Sequence, residues 1–333
     1  MLIKIKTAND RLSSVRGMGS YQQMLKEAIE QYGSQFDLGI VDENTEIELL
    51  LDFSPFKKIR FDKSQKQIIV IHDLIPIKYS AHFPVGLRGK IIWWQNQRLL
   101  KKLTGIITDS ETVKAELVTI LGIKPDKIAV VYPAAKRIFE QSKKAVKPNF
   151  AQKLPNEFVL YTGDITWNKN LVRLAKAIVK LDKPLVLVGA ALINRQHLNH
   201  PWKTSFKQFL KETNNDKRFI FLGYVNDEVL LWLYQQAKVV ALPSLAEGFG
   251  LTWLEASWQK TPVVVGRNQL SLEIMGENPF YANPEKVLEI VDALSKAWHC
   301  HKQASLQTQA RRYTQRHFVA GLSKALYNLV NDE

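Results

Sequence analysis

SLAEGFGLTWLEA, residues 244–256, is the stretch from which the rest of the chain can be read. It follows AKVVALPS (237–244), a short apolar run that reads as a buried strand, and it leads into a helix predicted from about Leu251 to Lys260. Strand, glycine-containing loop, helix is the repeating unit of a parallel α/β sheet. Gly248 and Gly250 flank Phe249 just before the helix, so backbone N–H groups can approach a phosphate closely there. The amino end of the helix adds roughly half a positive charge. Glu247 lies in the loop and Glu255 a turn or more into the helix, which puts two carboxylates at different depths. Each can accept hydrogen bonds from a pair of vicinal hydroxyls, such as those of a sugar and a ribose.

Working outward, the same alternation fills the chain. Strands are expected at 2–8, 36–41, 67–73, 105–110 and 127–133, and again at 157–163, 184–189, 218–225 and 261–266. Helices are expected at 20–31, at 170–181 and after Ser110, whose side chain suits a helix N-cap, with Gly122 just past the end. QSKKAVKPNFAQKLPN (141–156) is basic and broken by two prolines, and reads as an interdomain linker. A length of 333 residues fits two domains. The expected fold is therefore α/β, two Rossmann-like parallel-sheet domains facing a cleft: 1–150, then 151–310, with a C-terminal helix at 311–333 packing back on the first.

Ligands of open α/β sheets bind outside the carboxyl ends of the strands. That rule singles out three more loops: Arg16-Gly17-Met18-Gly19-Ser20, the turn at His72-Asp73, and Gly163-Asp164-Ile165-Thr166-Trp167-Asn168-Lys169.

EGFGLTWLE (247–255) resembles the Glu-x7-Glu signature of retaining glycosyltransferase family 4, the group 1 glycosyltransferases, which have the GT-B fold. FLGYVNDEVLLWLYQQAKVVALPS (221–244), TPVVVGRNQLSLEIMGENPFYANPE (261–285), VIHDLIP (70–76) and VRGMGSYQQML (15–25) are similar to the same family. The resemblance implies that Glu247 meets the donor sugar's hydroxyls and Glu255 the ribose. It implies that the backbone at Phe249, Gly250 and Leu251, beside Gly248, meets the donor phosphate or sugar, and that Lys169, after Gly163, neutralises the diphosphate. Tyr224 and Val225 would meet the base, Gly17 and Gly19 would lie close to phosphate and acceptor, and His72 would approach the transferred sugar. The family often has an arginine just after the glycine of the 163–169 loop, where this chain has Asp164. A carboxylate beside a diphosphate is repulsive unless it is paired or turned away, which would leave Lys169, with Arg173, to carry the neutralisation. The implied activity is transfer of a hexose, of mannose or glucose type, from a nucleotide-diphosphate sugar to a saccharide or lipid-linked hydroxyl with retention, in cell-surface polysaccharide synthesis.

Each of these residues also has an ordinary reading: a turn for the glycines, a strand cap for His72, a surface lysine at 169, solvated glutamates. Composition sets the outer limits. The net charge of +14 is spread over both halves, with 24 Lys and Arg against 16 Asp and Glu in residues 1–150. It favours polyanionic partners, but no recognition module supports nucleic acid. The position three past Gly19 is Gln22, so the dinucleotide fingerprint of a dehydrogenase is incomplete. One cysteine, Cys300, excludes an internal disulfide, and with no apolar leader in MLIKIKTAND the expected location is cytoplasmic. No paired-Asp motif of the metal-dependent transferases is present, and no metal or other cofactor is expected. Residues 79–102 hold Arg88, Lys90, Arg98, Lys101 and Lys102 around Ile91, Ile92, Trp93 and Trp94, with no acidic residue. This is either a helix lying on an anionic membrane or a domain-surface helix whose aromatic face is buried. Two alternatives share the architecture: a catalytically degenerate donor-binding subunit and a sugar-nucleotide epimerase.

Overall fold

The computed structural model describes residues 1–6, 17–42, 45–141 and 144–331. The chain divides into two compact units, Met1–Lys136 with Tyr313–Glu333, and Arg137–Arg312.

The first unit is a six-stranded sheet in the order β2-β1-β3-β4-β5-β6. Its strands are β1 (Leu2–Lys6), β2 (Gly39–Ile40), β3 (Ile47–Leu50), β4 (Lys66–Ile71), β5 (Gly105–Thr108) and β6 (Ile128–Val130). All the pairings are parallel. KQIIVI and GIIT are buried almost throughout, which is why they read as unbroken apolar runs rather than alternating ones. β3 was not expected from the sequence. A glutamate interrupts its IELL run, yet Glu48 is only 4% exposed. Its carboxylate accepts from Gln67 Nε2 at 2.8 Å and pairs with Lys6 Nζ at 2.5 Å, which offsets the cost of burying the charge.

The helix Gln315–Asn331 completes this unit, burying Phe318, Val319, Leu322, Leu326 and Leu329. Their spacing forms one apolar stripe, which packs on the helix Gly17–Tyr32 and on β5 and β6. The approach to β5 is close: a Cβ at Gly105 would stand 2.8 Å from both δ-carbons of Leu329.

The second unit is also a six-stranded parallel sheet, ordered β12-β11-β10-β7-β8-β9. Its strands are β7 (Val159–Thr162), β8 (Leu185–Val188), β9 (Phe219–Gly223), β10 (Val239–Leu242), β11 (Val263–Gly266) and β12 (Phe280–Ala282). Tyr161, Leu174, Ile178, Phe206, Phe209 and Leu294 are fully buried in its core. The unit starts at Arg137, ahead of the 141–156 stretch read as a linker. Phe139 is fully buried with its ring 5.9 Å from that of Tyr234, and its carbonyl accepts from Gln259 Nε2 at 2.8 Å. Ala145 N donates to Gln235 Oε1 at 3.0 Å. One aromatic anchor thus ties the polar, proline-broken segment to the second unit, a role its composition does not reveal.

Gly105→Ala should destabilise the protein by about 1–3 kcal/mol through overpacking. Adding Leu329→Ala should make the pair less costly than the sum of the single losses, a coupling readable by urea denaturation of all four members of the cycle.

Candidate functional site

In the second unit β7 lies between β8, the next strand in the chain, and β10. The winding of the sheet reverses there, and the loops leaving two such neighbouring strands open a crevice at their carboxyl ends. The loops in question are the 163–169 segment after β7 and the 243–250 segment after β10. Asn168 joins them: its carbonyl accepts from Leu245 N at 2.7 Å and its Nδ2 donates to the carbonyl of Ala246 at 2.9 Å. Lys169 Nζ then reaches both oxygens of Glu247, at 2.8 and 2.7 Å. The two side chains are 24% and 22% exposed. A pair so placed adds only about 0–1 kcal/mol to stability, so positioning is its main consequence.

Asn170 follows in the left-handed region at φ 58°, which asparagine tolerates better than most residues. Its Nδ2 donates to the carbonyls of Pro243 and Pro284 at 2.9 and 2.6 Å. Arg173 Nη1 donates to Asn170 Oδ1 at 3.1 Å, so this arginine braces the loop. Asn168 and Asn170, 5% and 2% exposed, escaped sequence reading; the clue would have been two asparagines around a lysine in the loop between a strand and a helix.

Asp164 is turned back on its own chain. Its Oδ1 accepts from Ile165 N at 2.7 Å, and its carbonyl accepts from the Tyr161 hydroxyl at 2.5 Å. Burial pushes the Tyr161 phenol well up, with the charges of Asp164 and Glu247 adding to the effect. Gly163, at φ 152°, permits the turn.

Gly250 adopts φ 91° and opens the helix Leu251–Trp258 without a capping side chain. A Cβ at Gly250 would lie 2.6 Å from Trp253 Cδ1, so the close turn demands glycine on both counts. Trp253 Nε1 donates to the Phe249 carbonyl at 2.9 Å, and Gly248 and Phe249 are buried. Glu255 is 7% exposed, and its Oε2 accepts from the hydroxyl of buried Tyr234 at 2.8 Å. Burial, then the Glu255 charge, pushes that phenol well up. Tyr224, 65% exposed, and Val225 leave the edge strand β9, at the same end of the sheet but two strands from β7.

The first unit holds its own group. β4 and β5 pair Ile71 with Thr108, so the next residues, His72 and Asp109, emerge side by side. His72 Nδ1 lies 2.6 Å from Asp109 Oδ2, and the Tyr21 ring stands edge-on to the imidazole at 4.6 Å. Among the described residues, His72 Nε2, Asp109 Oδ1 and the Tyr21 hydroxyl are buried without a hydrogen-bond partner, an arrangement costly enough to need a reason. Burial works to lower the His72 pKa, but the charge and hydrogen bond of Asp109, with Asp73 and Asp52, outweigh it and hold the imidazole above its ordinary value. Asp109 and Tyr21 were not singled out in the sequence, since their meaning depends on register across strands. Gly17 and Gly19 lie in the first turn of the helix Gly17–Tyr32, which starts three residues before the expected Ser20; Arg16 lies outside the described residues. The expected residues therefore form two groups, Lys169–Glu247 with the Gly250 helix end in one unit and His72 near the Gly19 helix in the other. Among the described residues no cluster of three or more His, Cys, Asp or Glu is arranged to hold a metal ion, and no helix is long and apolar enough to cross a membrane.

Comparison with known proteins adds to this geometry. Residues 142–316 match the model of the glycosyl transferases group 1, and residues 18–135 match that of glycosyltransferase family 4. An uncharacterized glycosyltransferase of Methanocaldococcus jannaschii is 26% identical over 58% of this chain and 51% of its own length. The serotype-specific mannosyltransferase WbdA of Escherichia coli is 26% identical over 70% of this chain, which spans 29% of that longer protein. The O-antigen chain mannosyltransferase RfbU of Salmonella typhimurium is 23% identical over 66% of this chain and 58% of its own. The chain thus spans about half or less of the first two relatives. Sucrose-phosphate synthase from Thermosynechococcus elongatus shares the fold over 100% of this chain and 99% of its own, at 15% identity and a TM-score of 0.72. Anabaena HepE, solved with UDP-glucose, shares it over 98% and 99%, at 14% identity and a TM-score of 0.68.

Because the folded His72 pKa is raised, its contribution to stability is fully present below the unfolded value of about 6.5 and fades as pH rises through the folded value. Asp109→Asn should therefore cost more stability near pH 6 than near pH 9. Ring NMR titration should show the His72 pKa falling below its ordinary value once burial is unopposed; an unmoved titration would refute the coupling.

Proposed function

The chain belongs to the group 1 glycosyl transferases, and on that premise we propose that it moves a hexose, of mannose or glucose type, from a nucleotide-diphosphate sugar to a saccharide or lipid-linked acceptor with retention. The observation that carries the reading is the Lys169–Glu247 pair, set beside an uncapped helix end at the reversal of a parallel sheet. The mannosyltransferase names of WbdA and RfbU, and the HepE complex with UDP-glucose, support the substrate class and a place in polysaccharide synthesis.

In this reaction the bond from the anomeric carbon to the diphosphate oxygen breaks, and negative charge grows on the leaving phosphate. Lys169 and the N–H groups after Gly250 are the groups that stabilise it. Lys169 then shifts from carboxylate towards phosphate, and the Glu247 oxygens turn to the hydroxyls of the transferred sugar. The acceptor oxygen bonds to the same face of the anomeric carbon, and its proton passes to the departing phosphate oxygen. His72 holds its Nδ1 on Asp109 and presents the unpartnered Nε2 to an oxygen of the transferred sugar. Gly17 and Gly19 let the first helix approach phosphate and acceptor. Glu255, fixed on one side by Tyr234, takes the ribose, and the backbone at Tyr224 and Val225 takes the base. Lysine and helix end supply the positive charge that a metal ion supplies elsewhere, so the transfer proceeds without metal or cofactor. The cytoplasm is the expected site of action; the free thiol of Cys300 fits a reducing compartment.

Thermal-shift screening against a panel of UDP- and GDP-sugars should single out one donor, with stabilisation of about 2.7 kcal/mol at a hundredfold excess over Kd. Glu247→Ala should abolish the shift, and Lys169→Ala should lower kcat by about 10²–10³. The product anomer should match the donor's. A donor altered without an acceptor would indicate an epimerase, and binding with no transfer would indicate a degenerate subunit.

Turnover should survive EDTA; loss of activity restored by Mg²⁺ or Mn²⁺ would overturn the metal-free scheme.

A further inference from the structure

The helix Leu87–Leu100 has a face that the transfer reaction does not use. Asn96 fixes its orientation: it is fully buried, donates to the carbonyls of Pro55 and Lys57 at 3.0 and 2.7 Å, and accepts from Ile59 N at 3.2 Å. Leu100 is buried on the same side, and Trp93 packs partly against the core. The opposite side therefore faces outward. Leu87, Ile91 and Trp94, spaced i, i+4 and i+7, are 75%, 48% and 55% exposed. Residues at that spacing share one face of a helix. Of the two adjacent tryptophans, one is thus drawn inward and the other left in solvent.

This apolar strip is bordered by cations. Arg98 continues it, with its guanidinium 3.1 Å from the centroid of the Trp94 ring. Arg88 falls on one flank and Lys90 on the other, with exposed Lys101 and Lys102 just past the helix end. The loop that Asn96 grips brings exposed Lys58 and Arg60. No acidic residue occurs from 74 to 108. An exposed aliphatic–tryptophan strip with a basic border and no acidic neighbour is complementary to one kind of surface, a bilayer carrying anionic headgroups. A protein partner would be expected to meet some acidic residues as well as basic ones along so long a stretch, whereas a lipid surface rewards one sign throughout.

We infer that the Leu87–Leu100 helix docks the protein on anionic membranes, with Leu87, Ile91 and Trp94 entering the interface and Arg88, Lys90, Arg98, Lys101 and Lys102 at the headgroups. Docking does not depend on the donor reading, since none of these residues belongs to the candidate site. Apolar insertion and charge attraction act together, so removing either weakens binding.

The test is co-sedimentation of the full chain with vesicles of phosphatidylcholine alone or mixed with phosphatidylglycerol. Binding is expected only to the mixed vesicles, and should weaken as salt is raised. Replacing Arg88, Lys90, Lys101 and Lys102 with glutamine should reduce it at least about tenfold. Ile91→Ser with Trp94→Ser should reduce it by a similar factor. Both variants alter exposed side chains, so each should keep its melting temperature and its transfer to a soluble acceptor without vesicles. Absence of binding to mixed vesicles, equal binding to neutral ones, or unchanged binding of either variant overturns the inference. So does a dimer on gel filtration that Ile91→Ser and Trp94→Ser dissociate, which would give the face to a second copy of the chain. Glu247→Ala should bind vesicles like the wild type, so failure of the donor reading and failure of docking give different results.

Discussion

A single ammonium group shared by the two oxygens of one carboxylate ties together the loops on which the candidate site rests. Lys169 and Glu247 come from strands far apart in sequence and adjacent in the sheet. They meet because β7 lies where the winding reverses, so the loops after β7 and β10 are neighbours. The pair is too exposed to matter much to stability. Its support is buried: Asn168 and Asn170 clamp the two loops through three hydrogen bonds, with a fourth to Pro284 after β12, and the left-handed turn at Asn170 starts the following helix. The candidate pair is thus placed by buried side chains beneath it.

The first unit follows the same logic with a different pair. His72 and Asp109 sit one step beyond a register pair of two parallel strands, so the sheet sets their spacing. Among the described residues, three buried polar atoms there lack hydrogen-bond partners. An unsatisfied group of this kind costs on the order of 1–3 kcal/mol.

Much of the fold was readable because buried parallel strands are short apolar runs between glycine-bearing loops. QIIVIHD and AKVVALPS announce themselves in this way. β3 did not, because Glu48 breaks its run and only the contacts with Gln67 and Lys6 explain its burial. That the second unit begins at Arg137, ahead of the 141–156 stretch, was not legible, because Phe139 acts through a partner, Tyr234, almost a hundred residues away in sequence. At the site, the glycines and glutamates of 244–256 were legible since their meaning is local. Asn170, Tyr21 and Asp109 were not, since each takes its role from a contact across the sheet or between loops. Asp164 looked like a fault against a diphosphate, and the structure engages one of its oxygens with its own backbone.

The stripe of the last long helix has a consequence for how the chain is made. Residues 313–333 belong to the unit formed by residues 1–136, while 137–312 form a unit by themselves. Domains generally fold as units as they leave the ribosome, so the segment 1–136 must wait for a segment made well after it. The middle of the chain can reach its native core earlier, while β5 and β6 still lack the cover of Phe318, Leu322 and Leu329. Synthesis order and folding order are therefore inverted, and a message cut short before the final helix would leave the amino-terminal sheet with an uncovered greasy flank for chaperones and proteases to find.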